Sequence, residues 1–167
     1  MTADQRKDLI PRYRAGYAEV VGALGAISPV ELDWRPAPSE WSAREVVHHL
    51  ADSETISGIR LRRLLMEDSP RIDGYDQAAY ARGLRYADRP MEPALQAFQA
   101  ARETTAQILD AMTDADWTRT GVHSESGSYS AERWLEIYAA HAHLHADQIR
   151  NNRTGWVAAG RPVRDGR

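Results

Sequence analysis

Four long segments of the chain carry apolar residues three or four positions apart, and this helical spacing constrains the fold more than any other feature. The stripes cover residues 9–24, 46–65, 95–109 and 134–149. The intervening positions of each segment are largely polar, as in helices that bury one face. Amphipathic helices bury their apolar faces against one another, so the sequence predicts an all-α fold, a four-helix bundle, in a single domain over residues 1–167.

Capping residues and a proline indicate where the helices begin. Ser42, followed three positions later by Glu45, matches the capping-box pattern and places the start of the second helix. Ser130 is the candidate N-cap of the fourth helix. Pro11 is tolerated best in a first turn, so the first helix is expected to begin near Asp8.

The connections between these helices are expected to contain no strands, because no segment alternates apolar and polar residues. Segment 67–89 is long for a plain loop, so we expect it to be functional or to carry a short helix around 76–82. The stretch "SESGSYS" at 124–130 is typical of a polar turn region. The Gly- and Arg-rich tail after about residue 153 is expected to be partly loose.

Composition excludes several classes of function. The net charge is −3 with neutral histidines, so nothing favours nucleic-acid binding electrostatically. The chain has no cysteine, so any thiol used in a reaction must come from a small molecule. The start "MTADQRKDLIPRYR" has no apolar signal-peptide core, and no run reaches membrane-spanning length. We therefore expect a cytoplasmic protein without a membrane partner.

The stretch "HAHLHADQ" at 141–148 holds three of the six histidines. Each residue of an α-helix turns by about 100°, so His141 and His145 lie on one face, whereas His143 points away. Two imidazoles one turn apart can converge on one metal ion. Ala142 stands where the H-E-x-x-H motif has glutamate, so a zincin-type protease is a poor interpretation.

A catalytic zinc usually takes three protein ligands, so a third is sought on another helix. In "VVHH", His49 shares its face with apolar residues and is interpreted as pointing inward. His48 is interpreted as a surface residue near Asp52. His123 is a weaker candidate, and as a fourth ligand it would favour a structural site. For each histidine the alternative is a core side chain that only satisfies a hydrogen bond.

The stretches "EWSAREVVHHLADSE", "GYDQAAYA" and "HSESGSYSAERWLEIYAAHAHLHADQI" resemble the DinB/YfiT-like superfamily, over about residues 34–151. The resemblance implies an up-down-down-up bundle with a long crossover between helices 2 and 3, and a homodimer. It also implies one divalent metal per chain, zinc or nickel. By position the implied ligands are His49, His141 and His145, in agreement with the face analysis.

Members of this branch are usually named metal-dependent hydrolases, and relatives include transferases that attach bacillithiol or mycothiol to electrophiles. We expect foremost a bacillithiol-like thiol S-transferase acting on small electrophiles. A free thiol has a pKa of about 8.5. A metal therefore has to lower the pKa of a thiol by less than the pKa of water to make the nucleophile available at neutral pH. No carboxylate within the ligand motif offers a general base. The alternatives are a hydrolase in which the metal activates water and a non-catalytic, metal-stabilised bundle.

Three further side chains are candidates for substrate binding. Gln148 shares the face of the histidine pair, although a surface amide is the simpler interpretation. Asp76 and Tyr80 lie in the crossover, and Asp76 equally fits a helix N-cap. Weaker candidates are Asp52 and Ser53 near His49, and Arg60, Arg62 and Arg63, for which a solvated helix face is the simpler interpretation.

Overall fold

The computed structural model describes residues 1–161, and four long helices dominate it. No helix in this part of the chain combines the length and the apolarity needed to cross a membrane. The elements in chain order are α1 (Ala3–Leu24), α2 (Pro29–Leu32), α3 (Ala43–Met66), β1 (Arg71–Ile72), α4 (Gln77–Gly83), a 3₁₀ turn (Tyr86–Asp88), α5 (Met91–Ala111), α6 (Asp114–Trp117), β2 (Thr120–His123), β3 (Gly127–Ser130) and α7 (Ala131–Ala158). Helices α1, α3, α5 and α7 correspond to the four amphipathic segments, which confirms the predicted bundle.

Contacts along the helices give the direction of each one. Helices α1 and α7 run parallel, α3 and α5 run parallel, and the two pairs are antiparallel to each other. The chain therefore follows the expected up-down-down-up course. The contacts that fix these directions are Arg6–Glu132 and Glu19–Arg150 for the first pair, Glu54–Arg102 and Arg62–Thr104 for the second, and Ser57–Trp134 and Trp41–Asn152 between the pairs.

A buried ion pair lies inside the bundle. Arg102 of α5 contacts Glu54 of α3, with 2.6 Å between Nη1 and Oε2. The hydroxyl of Tyr13 on α1 donates to the other carboxylate oxygen, and Arg102 also donates to the backbone oxygens of Tyr13 and Tyr138. Burial raises the pKa of Glu54, and the guanidinium of Arg102 opposes that effect. The network joins all four long helices at one level.

The crossover between α3 and α5 must return along the bundle because the two helices are parallel. It contains α4, which confirms the predicted short helix, and Asp76 caps that helix by accepting a bond from the Ala79 backbone at 2.9 Å. It also contributes β1, which pairs parallel with β2, while β2 pairs antiparallel with β3. The expectation of no strands was wrong, because strands of two to four residues are too short to show alternation.

The first helix begins at Ala3, so the predicted start near Asp8 was wrong. Thr2 and Gln5 form a capping box, in which each side chain bonds the backbone of the other. Pro11 lies inside the helix on its exposed side. Its missing N–H weakens the helix there, but extensive packing of α1 on α7 holds it on both sides of the proline.

The last helix continues past residue 153, after which the tail was expected to be partly loose. Helix α7 continues to Ala158, and the buried ring of Trp156 packs edge-on against Trp34 at 6.1 Å between ring centroids. This aromatic contact ties the end of α7 to the connection between α1 and α3. The remainder of the tail, 162–167, lies outside the described residues.

Candidate metal centre

Three histidines from two helices meet inside the bundle. His49 projects from α3, and His141 and His145 project from α7, so that one ring nitrogen of each lies within 4.8 Å of the others. The Nε2 atoms of His49 and His141 are 3.3 Å apart. The antiparallel course of α3 and α7 places the three side chains at the same level, as the helix-face analysis requires.

The geometry of this cluster fits a metal ion. Two nitrogens that each lie about 2.0–2.1 Å from one tetrahedral ion are separated by about 3.3–3.4 Å. The observed Nε2 separation between His49 and His141 falls at this value. The Nδ1 atoms of both residues are buried and meet no hydrogen-bond partner among the described groups. Because Nε2 is the atom of each ring that converges with the other, the short Nε2 separation indicates the ligand site, and these Nδ1 atoms add nothing to it.

Two neighbouring side chains fix the orientation of the imidazoles. Gln148 lies one turn beyond His145, and its Oε1 is 2.8 Å from Nδ1 of that ring. With Gln148 accepting, the proton of His145 sits on Nδ1 and the lone pair on Nε2 is left for an ion. Trp41 packs on His49, with 4.9 Å between ring centroids. Trp41 immediately precedes the N-cap of α3. The sequence around it predicts only the start of a helix and gives no sign of a contact with His49.

Burial keeps the three imidazoles neutral. Removal from water lowers the pKa of each histidine, and for His49 the pKa falls to about 3. For His141, proximity to His145, His49 and Arg102 adds to the effect of burial. Neutral imidazoles present lone pairs, which are the form that binds metal. The site is therefore ready to bind a cation at neutral pH.

The structure separates the other histidines from this cluster. The interpretation of His48 as a surface residue near Asp52 was wrong: it is only 2% exposed, its ring stacks on Tyr86, and its Nε2 lies 3.2 Å from the Arg89 backbone oxygen. The crossover folds back over this face of α3, which the helical pattern alone does not reveal. Asp52 instead accepts a hydrogen bond from the Tyr86 hydroxyl.

The remaining two histidines also contact other groups. His143 points away from the pair, as the helical geometry requires, and its Nε2 lies 2.9 Å from the backbone oxygen of Arg12. His123 lies in β2, where its Nδ1 accepts from the backbone of Glu125 and its ring packs on Tyr129. Neither residue joins the three-histidine cluster, so His123 does not supply a fourth ligand.

The candidate substrate-binding residues take different places. Gln148 contacts His145 and is not simply a surface amide. The side chain of Asp76 is engaged in capping α4. Tyr80 is 37% exposed and packs against Tyr75, with 4.7 Å between ring centroids. Sequence analysis missed Tyr75, because nothing in its spacing marks a crossover residue that folds onto the bundle.

The three arginines of α3 do not share one solvated face. Arg63 pairs with Glu67 on the surface. Arg62 reaches across to the threonine hydroxyls of α5. Arg60 turns toward α7 and donates to the hydroxyl of Tyr138, at 3.3 Å. The ring of Tyr138 in turn lies 5.7 Å from that of His141, so Arg60 reaches a side chain that contacts the cluster.

Comparison with known proteins places the bundle among named relatives. A protein of Oceanobacillus iheyensis is 34% identical over 119 residues, which are 71% of this chain and 69% of that protein. YfiT of Bacillus subtilis is 29% identical over 142 residues, which are 83% of this chain and 80% of that protein. Both relatives carry the name "putative metal-dependent hydrolase".

A solved structure and a family model agree with this placement. The structure of Bacillus subtilis YfiT, described as a probable metal-dependent hydrolase with an unusual four-helix bundle topology, matches with a TM-score of 0.86 and 25% identity. The match covers 97% of this chain and 91% of that one. The family model described as "DinB superfamily" matches residues 12–149. This chain therefore belongs to the DinB superfamily.

Proposed function

We propose that this protein is a metal-dependent enzyme in which His49, His141 and His145 hold one divalent ion, zinc or nickel. The observation that carries this proposal is the convergence of three neutral ring nitrogens within 4.8 Å of one another. No fourth histidine, cysteine, aspartate or glutamate joins the group within residues 1–161. Three protein ligands leave one coordination position open, which is typical of catalytic rather than structural zinc.

The reaction that we propose is S-transfer: the sulfur of a small-molecule thiol forms a bond to an electrophilic carbon, the thiol proton passes to solvent, and the carbon releases a leaving group such as chloride. A bound divalent ion supplies Lewis-acid chemistry, lowering the pKa of a thiol or water that reaches its open position. The chain supplies the three lone pairs, orients His145 through Gln148 and buries His49 under the ring of Trp41. Because the chain has no cysteine, the thiol comes from solution.

The placement of carboxylates favours a thiol over water as the nucleophile. Water attack commonly needs a general base beside the site. The fully buried carboxylate of Glu54 is bonded to Arg102 and Tyr13, and that of Asp52 accepts from Tyr86. Both carboxylates are therefore already engaged by side chains of the protein. A thiol has a pKa of about 8.5, much lower than that of water, and therefore needs less help from a general base to lose its proton.

Hydrolysis is the second candidate, and the names of the relatives favour it. Both curated relatives and the solved structure are described as metal-dependent hydrolases. The same three-histidine site serves either reaction, since the difference lies in which nucleophile reaches the ion.

The homodimer implied by the family resemblance stays a prediction.

Assays of the metal-loaded protein separate the two candidates. We expect conjugation of L-cysteine or another small thiol to monochlorobimane, at a rate that is lost on chelation and regained on adding zinc or nickel. The His143→Ala variant should retain this rate, and the His145→Ala variant should lose it. Metal-dependent cleavage of p-nitrophenyl esters without any thiol-dependent conjugation would contradict S-transfer and favour hydrolysis.

A further inference from the structure

Beside the histidine cluster lie three polar side chains whose hydrogen-bonding capacity is not filled by any group within residues 1–161: Arg60, Tyr75 and Tyr138. We propose that this group, the Arg60 cluster, binds a carboxylate carried by the small thiol or by its electrophile. The proposal names a class of substrate and rests on the proposed function for the identity of the molecule.

Arg60 is a half-buried cation without an ion-pair partner among the described residues. Its Nη1 donates to the Tyr138 hydroxyl and its Nη2 donates to the backbone oxygen of Asp73, at 3.3 and 2.5 Å. A guanidinium carries five N–H donors, so further donors are left for a ligand. Arg63, three residues further along the same helix, is instead paired with Glu67. Because charges removed from water are normally paired, the surroundings of Arg60 favour an anion.

Tyr75 adds a second donor that the protein leaves unused. Its hydroxyl is buried and has no hydrogen-bond partner among the described groups. Ser53 lies near enough to lower the pKa of this hydroxyl, but the two groups do not meet in hydrogen-bond geometry. The guanidinium of Arg60 lies over the ring of Tyr75, 5.8 Å from its centroid. A buried phenol next to an unpaired guanidinium is arranged to donate to the same anion.

The Arg60 cluster lies next to the metal site along the contact between α3 and α7. His49 and Arg60 are eleven positions apart, which in a helix brings them back to within about 20° of one face, with a rise of about 16 Å that the long side chain of Arg60 spans in part. On α7, Tyr138 precedes His141 by three positions, and their ring centroids are 5.7 Å apart. One aromatic ring therefore separates the anion site from the histidines. A molecule that extends past this ring, with a reactive group at the histidines and an anion at its other end, contacts both.

The chemistry of the cluster fits a carboxylate. It contains one guanidinium and two phenol hydroxyls, so it offers a single positive charge and several N–H and O–H donors. A carboxylate carries one negative charge on a planar group that a guanidinium can bind with two parallel hydrogen bonds. The expected ligand is thus a small thiol or electrophile that carries a carboxylate group.

The test compares two thiols that differ in this group alone. Zinc-loaded protein is titrated with 6-mercaptohexanoate and with 6-mercaptohexan-1-ol by isothermal calorimetry, because a chain of this length spans the ring of Tyr138. We expect the wild-type protein to bind the acid about tenfold more tightly than the alcohol, as a charge-assisted hydrogen bond provides. Arg60→Gln should reduce this ratio to near one without weakening the alcohol, and Arg60→Lys should keep part of it. Tyr75→Phe should lower the ratio severalfold.

Arg62→Gln is the matched control, because Arg62 lies on the same helix but donates to Thr104 and Thr105 of α5. It should keep the full preference for the acid. A ratio near one in the wild-type protein, or a preference that persists in Arg60→Gln, would overturn the proposal.

A second readout keeps the anion site separate from the proposed function. If neither thiol binds the zinc-loaded protein, S-transfer fails, and the same protein is titrated with propionate while the Nε–H resonance of Arg60 is followed by NMR. A saturable shift of that resonance in the wild-type protein, reduced in Tyr75→Phe, would still support the anion site. An Arg60 resonance that does not respond to propionate would overturn it.

Discussion

Gln148 holds the imidazole of His145 through a hydrogen bond of 2.8 Å between Oε1 and Nδ1. Partners of this kind fix the tautomer and orientation of a metal-binding histidine, and their loss typically lowers metal affinity about 10- to 100-fold. We therefore predict that Gln148→Ala weakens zinc binding by about tenfold, as measured by competition with a chromophoric chelator. Gln148→Glu, which keeps an acceptor, should bind zinc more tightly than Gln148→Ala. Equal zinc affinity in Gln148→Ala and in the surface control Gln107→Ala would contradict this role.

The buried charges of Glu54 and Arg102 compensate each other. Removing one partner leaves an uncompensated charge in the core, so Arg102→Met should lower the free energy of unfolding by about 3–5 kcal/mol. Replacing both residues, as Glu54→Leu with Arg102→Met, should restore part of that loss. Urea unfolding measures both variants. Arg85→Met, which removes one partner of an exposed ion pair, should change little. A double variant less stable than Arg102→Met alone would contradict the argument.

Single residues differ in how far sequence alone could place them. The angular spacing of a helix was sufficient to separate His141 and His145 from His143, because all three lie on one regular element. The burial of His48 could not be predicted in the same way, since it depends on where the crossover lies in space. The same holds for Tyr75 and for the direction of Arg60, whose contacts come from distant parts of the chain.

At the scale of elements, the close approach of α1 to α7 depends on Gly16. A Cβ atom at this position would lie 2.6 Å from the Cβ of Ala142, next to His141, and equally close to Arg102. We predict that Gly16→Ala destabilises the protein by about 1–3 kcal/mol, because the core cannot accept the added methyl group without shifting α7. Thermal or urea unfolding measures the change.

Gly22, in the same helix, is the matched control. A Cβ atom there meets nothing within 4 Å, so Gly22→Ala should stabilise the protein by up to about 1 kcal/mol through helix propensity. Destabilisation of both variants to the same extent would show that the effect lies in the helix backbone and not in the contact with α7.

The elements also show where local patterns predict well. The capping box of Ser42 and the cap of Ser130 gave correct helix starts, because capping is a local interaction between neighbouring residues. The first helix was placed too late, since Pro11 weakens a helix without ending it when tertiary packing holds both sides. The small sheet escaped detection because its strands are short and its β1–β2 pairing joins residues about 50 positions apart in sequence.

At the scale of the whole molecule, the neutral histidines couple stability to pH. Burial lowers the pKa of His49 to about 3, against about 6.5 in an unfolded chain, and His141 and His145 shift in the same direction. Between these values the unfolded chain binds protons that the folded chain does not. Unfolding then takes up protons, so the metal-free protein should lose stability as the pH falls below about 6.5.

Urea unfolding of the metal-free protein at pH 7 and pH 5 measures this loss. His49→Gln removes one of the shifted groups and should show a smaller decrease between the two values. Stability that stays constant from pH 7 to pH 5 in the wild-type protein would contradict the inferred burial of neutral imidazoles.

The central claim is that one divalent ion is held by His49, His141 and His145, and metal content tests it most directly. Mass spectrometric metal analysis of untagged protein, after reconstitution with zinc or nickel, should find about one ion per chain in the wild type and in the control His143→Ala. Each of His49→Ala, His141→Ala and His145→Ala should lose it. A wild-type protein that binds no metal, or ions retained in all three variants, would contradict the account.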